Sequence, residues 1–306
     1  NLDNGSTGSS VGPTVTTTAK VSAPKIPSAV IATAPKPDIP RILEVGTLGD
    51  NISYTLYETG ELWVYGYGDM KDFSSSPFKN PDKVKKVSFE HKNPKKNLYI
   101  TRIGNRVFYN CNNLETLEMG ANVKTIGKGA FYKCKALTSV TLPNTLKKIE
   151  QEAFYNCASL ESIVIPTSVK SIGQYAFYGC MGLEELIVPS RVKRIEDYVF
   201  GNCHNIVNID MPETVQYVGQ YAFQNCFSLQ NLNIPENVTY IGQKIFEGCI
   251  SLEDLTIPYV GEVARRITDE DDEFNYFTGF GWLFGEDKPA SDSYSKIYIE
   301  GLAEST

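Results

Sequence analysis

Phenylalanine recurs at a fixed spacing of 23 residues through the middle of this chain. Seven copies keep the interval without a slip, at Phe108, Phe131, Phe154, Phe177, Phe200, Phe223 and Phe246. A cysteine follows each of them by three positions, and these are all the cysteines of the chain: Cys111, Cys134, Cys157, Cys180, Cys203, Cys226 and Cys249. A fixed period of about 20–50 residues is the signature of units that stack on one another. The period therefore predicts a solenoid.

Each repeat carries signals for two strands and one helical turn. Two aliphatic columns lie two positions apart, as in Leu186 and Val188, which places both side chains on one face of a strand. Proline then ends the strand in nearly every unit, because it has no N–H for the ladder. A second apolar pair, such as Val169 and Ile172, predicts a short second strand. An Asn or Gly bias before each cysteine predicts a left-handed residue that closes a helical turn. The expected fold is an α/β solenoid with a parallel concave sheet and short helical turns on the convex side.

The chain divides into four predicted parts. Residues 1–40 are rich in Ser, Thr and Pro and predict a disordered linker, although a simple mobile tail has the same composition. Residues 41–81 predict a small β-hairpin cap, since alternating apolar residues flank a turn at residues 58–61. The repeats occupy residues 82–258. Residues 259–306 predict a C-terminal cap in which Ile297 and Ile299 form one more strand.

The insertion before that last strand and the cysteine column both raise the question of metal binding. The acidic run at residues 269–273, followed by aromatic residues, fits a solvated loop with an aromatic plug over the end of the core. A cation site is the alternative, because calcium prefers carboxylate oxygens, but EF-hand spacing is absent. Equivalent cysteines of stacked units run parallel, which suits disulfide geometry poorly, so we expect buried free thiols. Zinc-site spacing is missing, and we expect no metal and no cofactor.

Composition excludes several classes of function. A formal net charge of −7 over 306 residues gives no broad attraction for nucleic acid. No apolar run reaches about 18 residues, so no transmembrane segment is expected in this chain. The start lacks Met and a signal-peptide pattern, which fits a processed or trimmed chain. His91 and His204 are the only histidines, and neither lies beside a known nucleophile motif. We therefore expect no catalytic residues and no enzymatic activity.

A binding surface is predicted from the outward positions of the first strand in each repeat. The candidate concave binding face consists of Glu118, Thr141, Val164, Ile187, Asp210, Asn233 and Thr256. Val164 and Ile187 are adjacent apolar members of this column, and they could anchor a partner or be ordinary strand surface.

A basic column and a tyrosine column compete with this face. The basic column could attract an acidic polysaccharide or protein, or be a solvated edge; its members are Lys124, Lys147, Lys170 and Lys193. The tyrosines are expected to pack between units; they are Tyr109, Tyr132, Tyr155 and Tyr178.

The run from Leu160 to Cys180, LESIVIPTSVKSIGQYAFYGC, resembles the repeat of the BspA-like leucine-rich-repeat family. The segments 46–51 and 60–70 resemble a stretch that often precedes such repeats, and residues 280–285 resemble an insertion near their C-terminal ends. The resemblance implies surface or secreted proteins of bacteria and some microbial eukaryotes that adhere to host proteins or other cells. It implies no shared catalytic residue. The chain departs from common leucine-rich repeats because Asn does not follow every strand, as Thr145, Ser168 and Arg191 illustrate.

Two hypotheses follow for the function. The first is an adhesin-like, non-enzymatic binding module that is extracellular or at the cell surface, acts as a monomer, and recognises a protein or glycan through the concave face. The second is a structural spacer of a cell-surface assembly that has no ligand of its own. Substitution of Val164 and Ile187 by Asp distinguishes the two, because only the first hypothesis predicts that a bound partner is lost.

Overall fold

The computed structural model describes residues 40–90, 99–258, 283–284 and 296–300. Most of the predicted linker, His91 and the acidic run at residues 269–273 lie outside the described residues. The described part is a β-solenoid of about 8 turns with parallel sheets. It opens with an antiparallel meander, in which the predicted hairpin is the β2–β3 pair. The elements of this first part are β1 (Ile42–Gly49), β2 (Ile52–Tyr57), β3 (Glu61–Gly66), β4 (Gly68–Asp69), a 3₁₀ turn (Pro81–Lys83), β5 (Lys86–Glu90) and β6 (Ile100–Ile103).

Most of the following repeats combine a first strand of two or three residues with a second strand of two residues. The first strands are β7 (Thr116–Glu118), β9 (Ser139–Thr141), β11 (Ser162–Ile163), β13 (Glu185–Ile187), β15 (Asn208–Asp210), β17 (Asn231–Asn233) and β19 (Asp254–Pro258), followed by β20 (Lys296–Glu300). The second strands are β8 (Thr125–Ile126), β10 (Lys148–Ile149), β12 (Ser171–Ile172), β14 (Arg194–Ile195), β16 (Tyr217–Val218) and β18 (Tyr240–Ile241). The predicted strand through Ile297 and Ile299 is confirmed, and it pairs in parallel with β19.

The strands form two parallel ladders, and both ladders are interrupted between the same two repeats. The main sheet runs β1-β2-β3-β5-β7-β9-β11 and resumes as β13-β15-β17-β19-β20. The second sheet joins β4, β6, β8, β10 and β12 and resumes as β14-β16-β18. From β7 to β19, paired first strands are offset by the 23-residue sequence period, as when Leu117 lies opposite Val140. The repeats that contain β11 and β13 are therefore the one place in this series where sheet hydrogen bonding stops.

A continuous stack of phenylalanines fills the interior. All seven periodic phenylalanines are fully buried. Neighbouring rings are nearly parallel, with centroids 5.1 Å apart for Phe108 and Phe131 and 6.2 Å apart for Phe223 and Phe246. Other aromatic rings close both ends of the stack: Phe78 lies 5.8 Å from Phe108, and Phe284 lies 5.5 Å from Phe246. The predicted internal stack is confirmed, and Phe284 covers its C-terminal end.

The prediction of helical turns on the convex side is wrong. Residues 99–258 contain no helix, and the segment around each phenylalanine is a run of turns. The N–H groups there alternate between local and neighbouring acceptors. Tyr109 donates to Arg106 at 3.2 Å, whereas Phe108 donates to Ala130 of the next repeat at 2.9 Å. A helix cannot form because it would need every N–H to bond within its own segment.

Two left-handed residues per repeat allow this alternation. The predicted column before each cysteine is confirmed, since Asn110 has φ of 60° and Gly179 has φ of 74°. No sequence pattern indicated the other column, which holds mainly charged and aromatic residues and has φ between 53° and 59°. That column is Arg106, Gly129, Glu152, Tyr175, Tyr198, Tyr221 and Lys244. Stacking between repeats outweighs the steric cost of positive φ at these side chains.

A polar residue after each first strand ties most repeats to the preceding one. The Thr145 hydroxyl donates to the carbonyl of Val123 at 2.9 Å, and the Ser168 hydroxyl donates to Leu146 at 2.6 Å. Thr214 repeats this contact with Val192, and the Asn237 side-chain amide donates to the carbonyl of Glu213 in its own preceding repeat. Arg191 occupies the same column, and no such bond from it exists among the described residues. The side-chain bond is therefore lost at the boundary where both sheets are interrupted.

The cysteines are buried free thiols, as predicted. They also form hydrogen bonds, which the sequence did not indicate. The Cys180 thiol lies 3.2 Å from the carbonyl oxygen of Phe154, and the Cys203 thiol lies 3.2 Å from that of Phe177. The same contact recurs along the column at 3.1–3.3 Å. All seven thiols thus fill the core, and the six from Cys134 onwards also donate to the repeat before them.

Candidate functional site

The predicted binding column lies on the outer face of the main sheet. The period-2 alternation of each strand places Leu117, Ile209 and Leu232 inward, and their neighbours outward. Six members of the column are exposed and Thr256 is partly exposed. We call this column the sheet-face column; it consists of Glu118, Thr141, Val164, Ile187, Asp210, Asn233 and Thr256. The structure thus brings all seven residues to one surface.

Hydrogen-bonded register aligns three pairs of these side chains between neighbouring repeats. Glu118 lies opposite Thr141, Ile187 lies opposite Asp210, and Asn233 lies opposite Thr256. At the N-terminal end, the Glu118 carboxylate accepts a bond from the Lys86 ammonium at 3.0 Å. This hydrogen bond raises the pKa of the Lys86 ammonium. This ion pair lies at the N-terminal end of the sheet-face column, which is polar there and apolar at its centre.

Val164 and Ile187 form that centre. Their exposed fractions are 81% and 65%, the two highest among the large hydrophobic residues described. They occupy equivalent positions in the two repeats between which the main sheet is interrupted. Exposed apolar side chains lose water contact only when a partner covers them. This pair is therefore the part of the face best suited to gain free energy from a partner.

The basic column lies on a different surface, beside the second strands. Lys148 pairs with Glu150 at 3.0 Å, and Arg194 pairs with Glu196 at 2.9 Å. Lys170, Lys193 and Arg191 have no ion-pair partner among the described residues. The carboxylates of Glu150 and Glu196 therefore neutralise only part of this surface.

The predicted tyrosine column packs between repeats, as expected. Centroids lie 4.8 Å apart for Tyr109 and Tyr132 and 5.1 Å apart for Tyr155 and Tyr178. A second ladder, which sequence reasoning missed, stacks Tyr175 on Tyr198 at 4.7 Å and continues to Tyr221. Its own 23-residue spacing was the signal that could have revealed it. Burial raises the pKa of the Tyr198 hydroxyl to about 12.

The titratable groups of the described residues do not assemble a metal-binding cluster. No group of three or more His, Cys, Asp or Glu side chains is placed to hold a metal ion within the described ranges. The His204 ring stacks on Phe227 with centroids 4.5 Å apart. Burial raises the pKa of all seven thiols, to about 12 for Cys203, so the reactive thiolate is disfavoured.

Comparisons with known proteins agree with this architecture. The family profile described as "BspA type Leucine rich repeat region" matches in 6 copies, over residues 68–181 and 147–266. A leucine-rich repeat protein from Eubacterium ventriosum is 25% identical with a TM-score of 0.44, covering 71% of this chain and 74% of that one. The leucine-rich repeat protein of T. pallidum is 27% identical with a TM-score of 0.47, covering 57% and 86%. A leucine rich cell surface protein from Faecalibacterium prausnitzii is 18% identical with a TM-score of 0.32, covering 82% and 99%.

A comparison with curated proteins finds no relative of this chain. Within the part of the chain that the structure describes, no helix has the length and apolar character needed to cross a bilayer.

Proposed function

The chain belongs to the BspA-type leucine-rich-repeat family, and from this premise we propose that it is a non-enzymatic binding module that recognises a protein or glycan through its sheet-face column. Repeat proteins commonly use their extended sheet for binding, because stacked strands present many side chains on a rigid surface. Repeats of this family are generally not enzymes. We place the module outside the cell or at its surface, acting as a monomer on a Ser/Thr/Pro-rich stalk.

The exposed pair Val164 and Ile187 carries this proposal. A buried Val or Ile side chain contributes about 1.5–3 kcal/mol relative to an exposed one. Polar neighbours Thr141 and Asp210 flank the pair on either side. An apolar centre with a polar surround is the usual arrangement of a binding hot spot. A partner that covers the centre would gain hydrophobic free energy there and specificity from the surround.

The test uses the double variant Val164→Asp with Ile187→Asp. Purified full chain is measured by surface plasmon resonance against immobilised extracellular-matrix proteins and mucin glycoproteins. We expect saturable binding to at least one of them and a loss of at least about tenfold in affinity in the variant, because two carboxylates would be desolvated at the contact. Circular dichroism and thermal unfolding establish that the variant stays folded.

The matched control is Met181→Asp with Ile250→Asp. These side chains are 40% and 64% exposed and lie after a cysteine, away from the sheet-face column. The control carries the same change in charge and polarity, so it should bind like the unmodified chain. Equal binding by both variants and the unmodified chain would reject the sheet-face column as the site. An absence of any partner would favour the spacer hypothesis.

A further inference from the structure

A groove opens on the second-strand surface at the boundary where both sheets are interrupted. Its volume is about 510 Å³, within the range of about 300–1,000 Å³ that ligand pockets occupy. The residues that matter for its chemistry are Lys170, Ile172, Arg191, Lys193, Arg194 and Glu196. Four cations and one carboxylate make its lining strongly positive on a chain whose overall charge is negative. The groove is separate from the sheet-face column.

We propose that this groove binds a linear acidic glycan through its sulfate or carboxylate groups. The proposal does not depend on the sheet-face column, and the two surfaces can be tested independently.

Arg191 explains why the groove is open. The equivalent Ser168 and Thr214 each donate a side-chain hydrogen bond to a carbonyl of the preceding repeat. Arg191 makes no such bond among the described residues, and the strands that flank it, β12 and β14, are not paired with each other. Because Arg191 stands where the neighbouring repeats have Ser or Thr, the side-chain hydrogen bond between two repeats is absent here. The Arg191 guanidinium lines the groove instead.

One of the four cations, Arg194, is held in place by neighbouring side chains, and the other three form no ion pair among the described residues. Arg194 is held by Glu196 at 2.9 Å and by the face of Tyr217, whose centroid is 3.6 Å from the guanidinium carbon. A guanidinium held in this way can receive a planar anion with little loss of conformational entropy. Lys170, Arg191 and Lys193 are exposed and have no ion-pair partner in the described part of the chain. They can therefore pair with an incoming anion without first breaking a salt bridge.

The surroundings favour a glycan over an acidic peptide. Lys124 and Lys147 continue the basic column away from the groove, one lysine per repeat at the spacing of about 4.8 Å between strands. Such a row matches a stiff polymer with regularly spaced charges, whereas a flexible peptide would lose more entropy on binding. Tyr240 stacks on Tyr217 at 4.6 Å and is 47% exposed. It offers an apolar ring face to a sugar beside the cations.

The experiment measures calorimetric binding of the full chain to three probes. They are a heparin oligosaccharide, an oligogalacturonate and a poly-L-glutamate of similar length. We expect one or both glycans to bind more tightly than poly-L-glutamate, with affinity that falls as NaCl rises from about 0.05 to about 0.3 M, because salt screens exposed charges. The relative affinity of the first two probes tells whether sulfate or carboxylate is preferred.

Three variants assign the binding to the groove. Lys170→Glu with Lys193→Glu should lower glycan affinity by at least about tenfold, because two attractive charges become repulsive. The control Lys83→Glu with Lys85→Glu changes two exposed lysines near the first repeat and has the same net charge. It should stay within about threefold of the unmodified chain. Arg191→Thr should restore the tie to the preceding repeat and weaken glycan binding while the unfolding temperature is kept or raised.

Equal losses in the groove variant and the control would overturn the proposal, because binding would then follow net charge alone. Tighter binding of poly-L-glutamate would overturn the glycan assignment, and no binding of either glycan at about 0.05 M NaCl would overturn the site. None of these three results bears on the sheet-face proposal, since Val164 and Ile187 are unchanged in these variants.

Discussion

Truncation of Phe177 to alanine tests whether the phenylalanine stack holds the repeats together. The ring is fully buried, and its centroid lies 5.3 Å from that of Phe154 and 5.8 Å from that of Phe200. Removal of a buried phenylalanine ring costs about 3–5 kcal/mol, and each aromatic pair contributes about 0.5–1.5 kcal/mol beyond its buried area. Both stacking contacts of a central ring are lost together.

The backbone on either side cannot easily collapse into the space. Phe154 donates its N–H to Ala176 at 2.8 Å, and Phe177 donates to Val199 at 3.0 Å, so adjacent repeats are held at a fixed distance. A cavity that persists costs more than one that closes. We therefore expect the upper half of the range, a loss of about 4–5 kcal/mol in the free energy of unfolding.

Urea unfolding followed by circular dichroism measures this loss, with thermal unfolding as a second readout. The expected fall in melting temperature is about 8–20 °C, since 1 kcal/mol corresponds to about 2–4 °C at this size. Phe227→Ala is the matched control, because that ring is 38% exposed and lies outside the stack. It should cost less than about 2 kcal/mol. A loss for Phe177→Ala no larger than that of the control would refute the stacking argument.

Three other predictions concern ionisation, thiol reactivity and close packing. Burial raises the pKa of Tyr198 to about 12, so the unfolded chain loses this proton first. The free energy of unfolding should therefore fall between about pH 10 and about pH 12. Tyr198→Phe should make this fall shallower, as measured by the denaturant midpoint at each pH. Native chain at about pH 8 should resist alkylation by iodoacetamide at Cys203, as read by mass spectrometry, because thiolate is the reactive form; rapid labelling without denaturant would contradict its burial. Gly242→Ala should cost about 1–3 kcal/mol, since its new Cβ would lie 2.3 Å from the Gln220 nitrogen, and Gly120→Ala, with its nearest contact at 3.7 Å, should be nearly neutral in the same urea assay.

Much of the fold follows from the period because identical spacing forces identical side chains into register. The columns of Leu186 and Val188 placed the first strands, and the same spacing located the strands of Phe89 and Ile297 at the two ends. Alternation within each strand also predicted that Val164 would face solvent. These features depend on local pattern and on stacking, both of which the sequence displays directly.

The convex side escaped prediction because its hydrogen bonds join different repeats. Glu152 and Tyr175 adopt positive φ of 59° and 57°, although neither residue type favours that conformation. Only the neighbouring repeat, which accepts alternate N–H groups, makes the geometry favourable. The groove escaped prediction for a related reason. A single Arg191 in a column of hydroxyl and amide side chains looks like ordinary variation until the lost hydrogen bond is seen.

The identity of a partner is a different kind of question. Exposure of Ile187 follows from alternation, but affinity depends on the shape and charge of a molecule that the sequence does not contain. The residues on the sheet-face column can therefore be named from the period, while the choice among protein and glycan partners requires the binding measurements described above.

The interrupted ladders have a mechanical consequence. Between the repeats of β11 and β13 the described sheets share no pairing, but convex bonds such as Gly179 to Gly201, at 2.8 Å, remain intact. Among the described repeats, the solenoid is therefore least stiff at this boundary. The repeats up to β12 and the repeats from β13 form two groups, which stay joined by the hydrogen bonds of the convex side and can bend relative to each other there. Under tension along the solenoid, we expect extension to begin there, because the fewest bonds resist it. If force acts on a surface-attached chain through a bound ligand, the repeats should separate first at this boundary, while the repeats on either side of it stay folded.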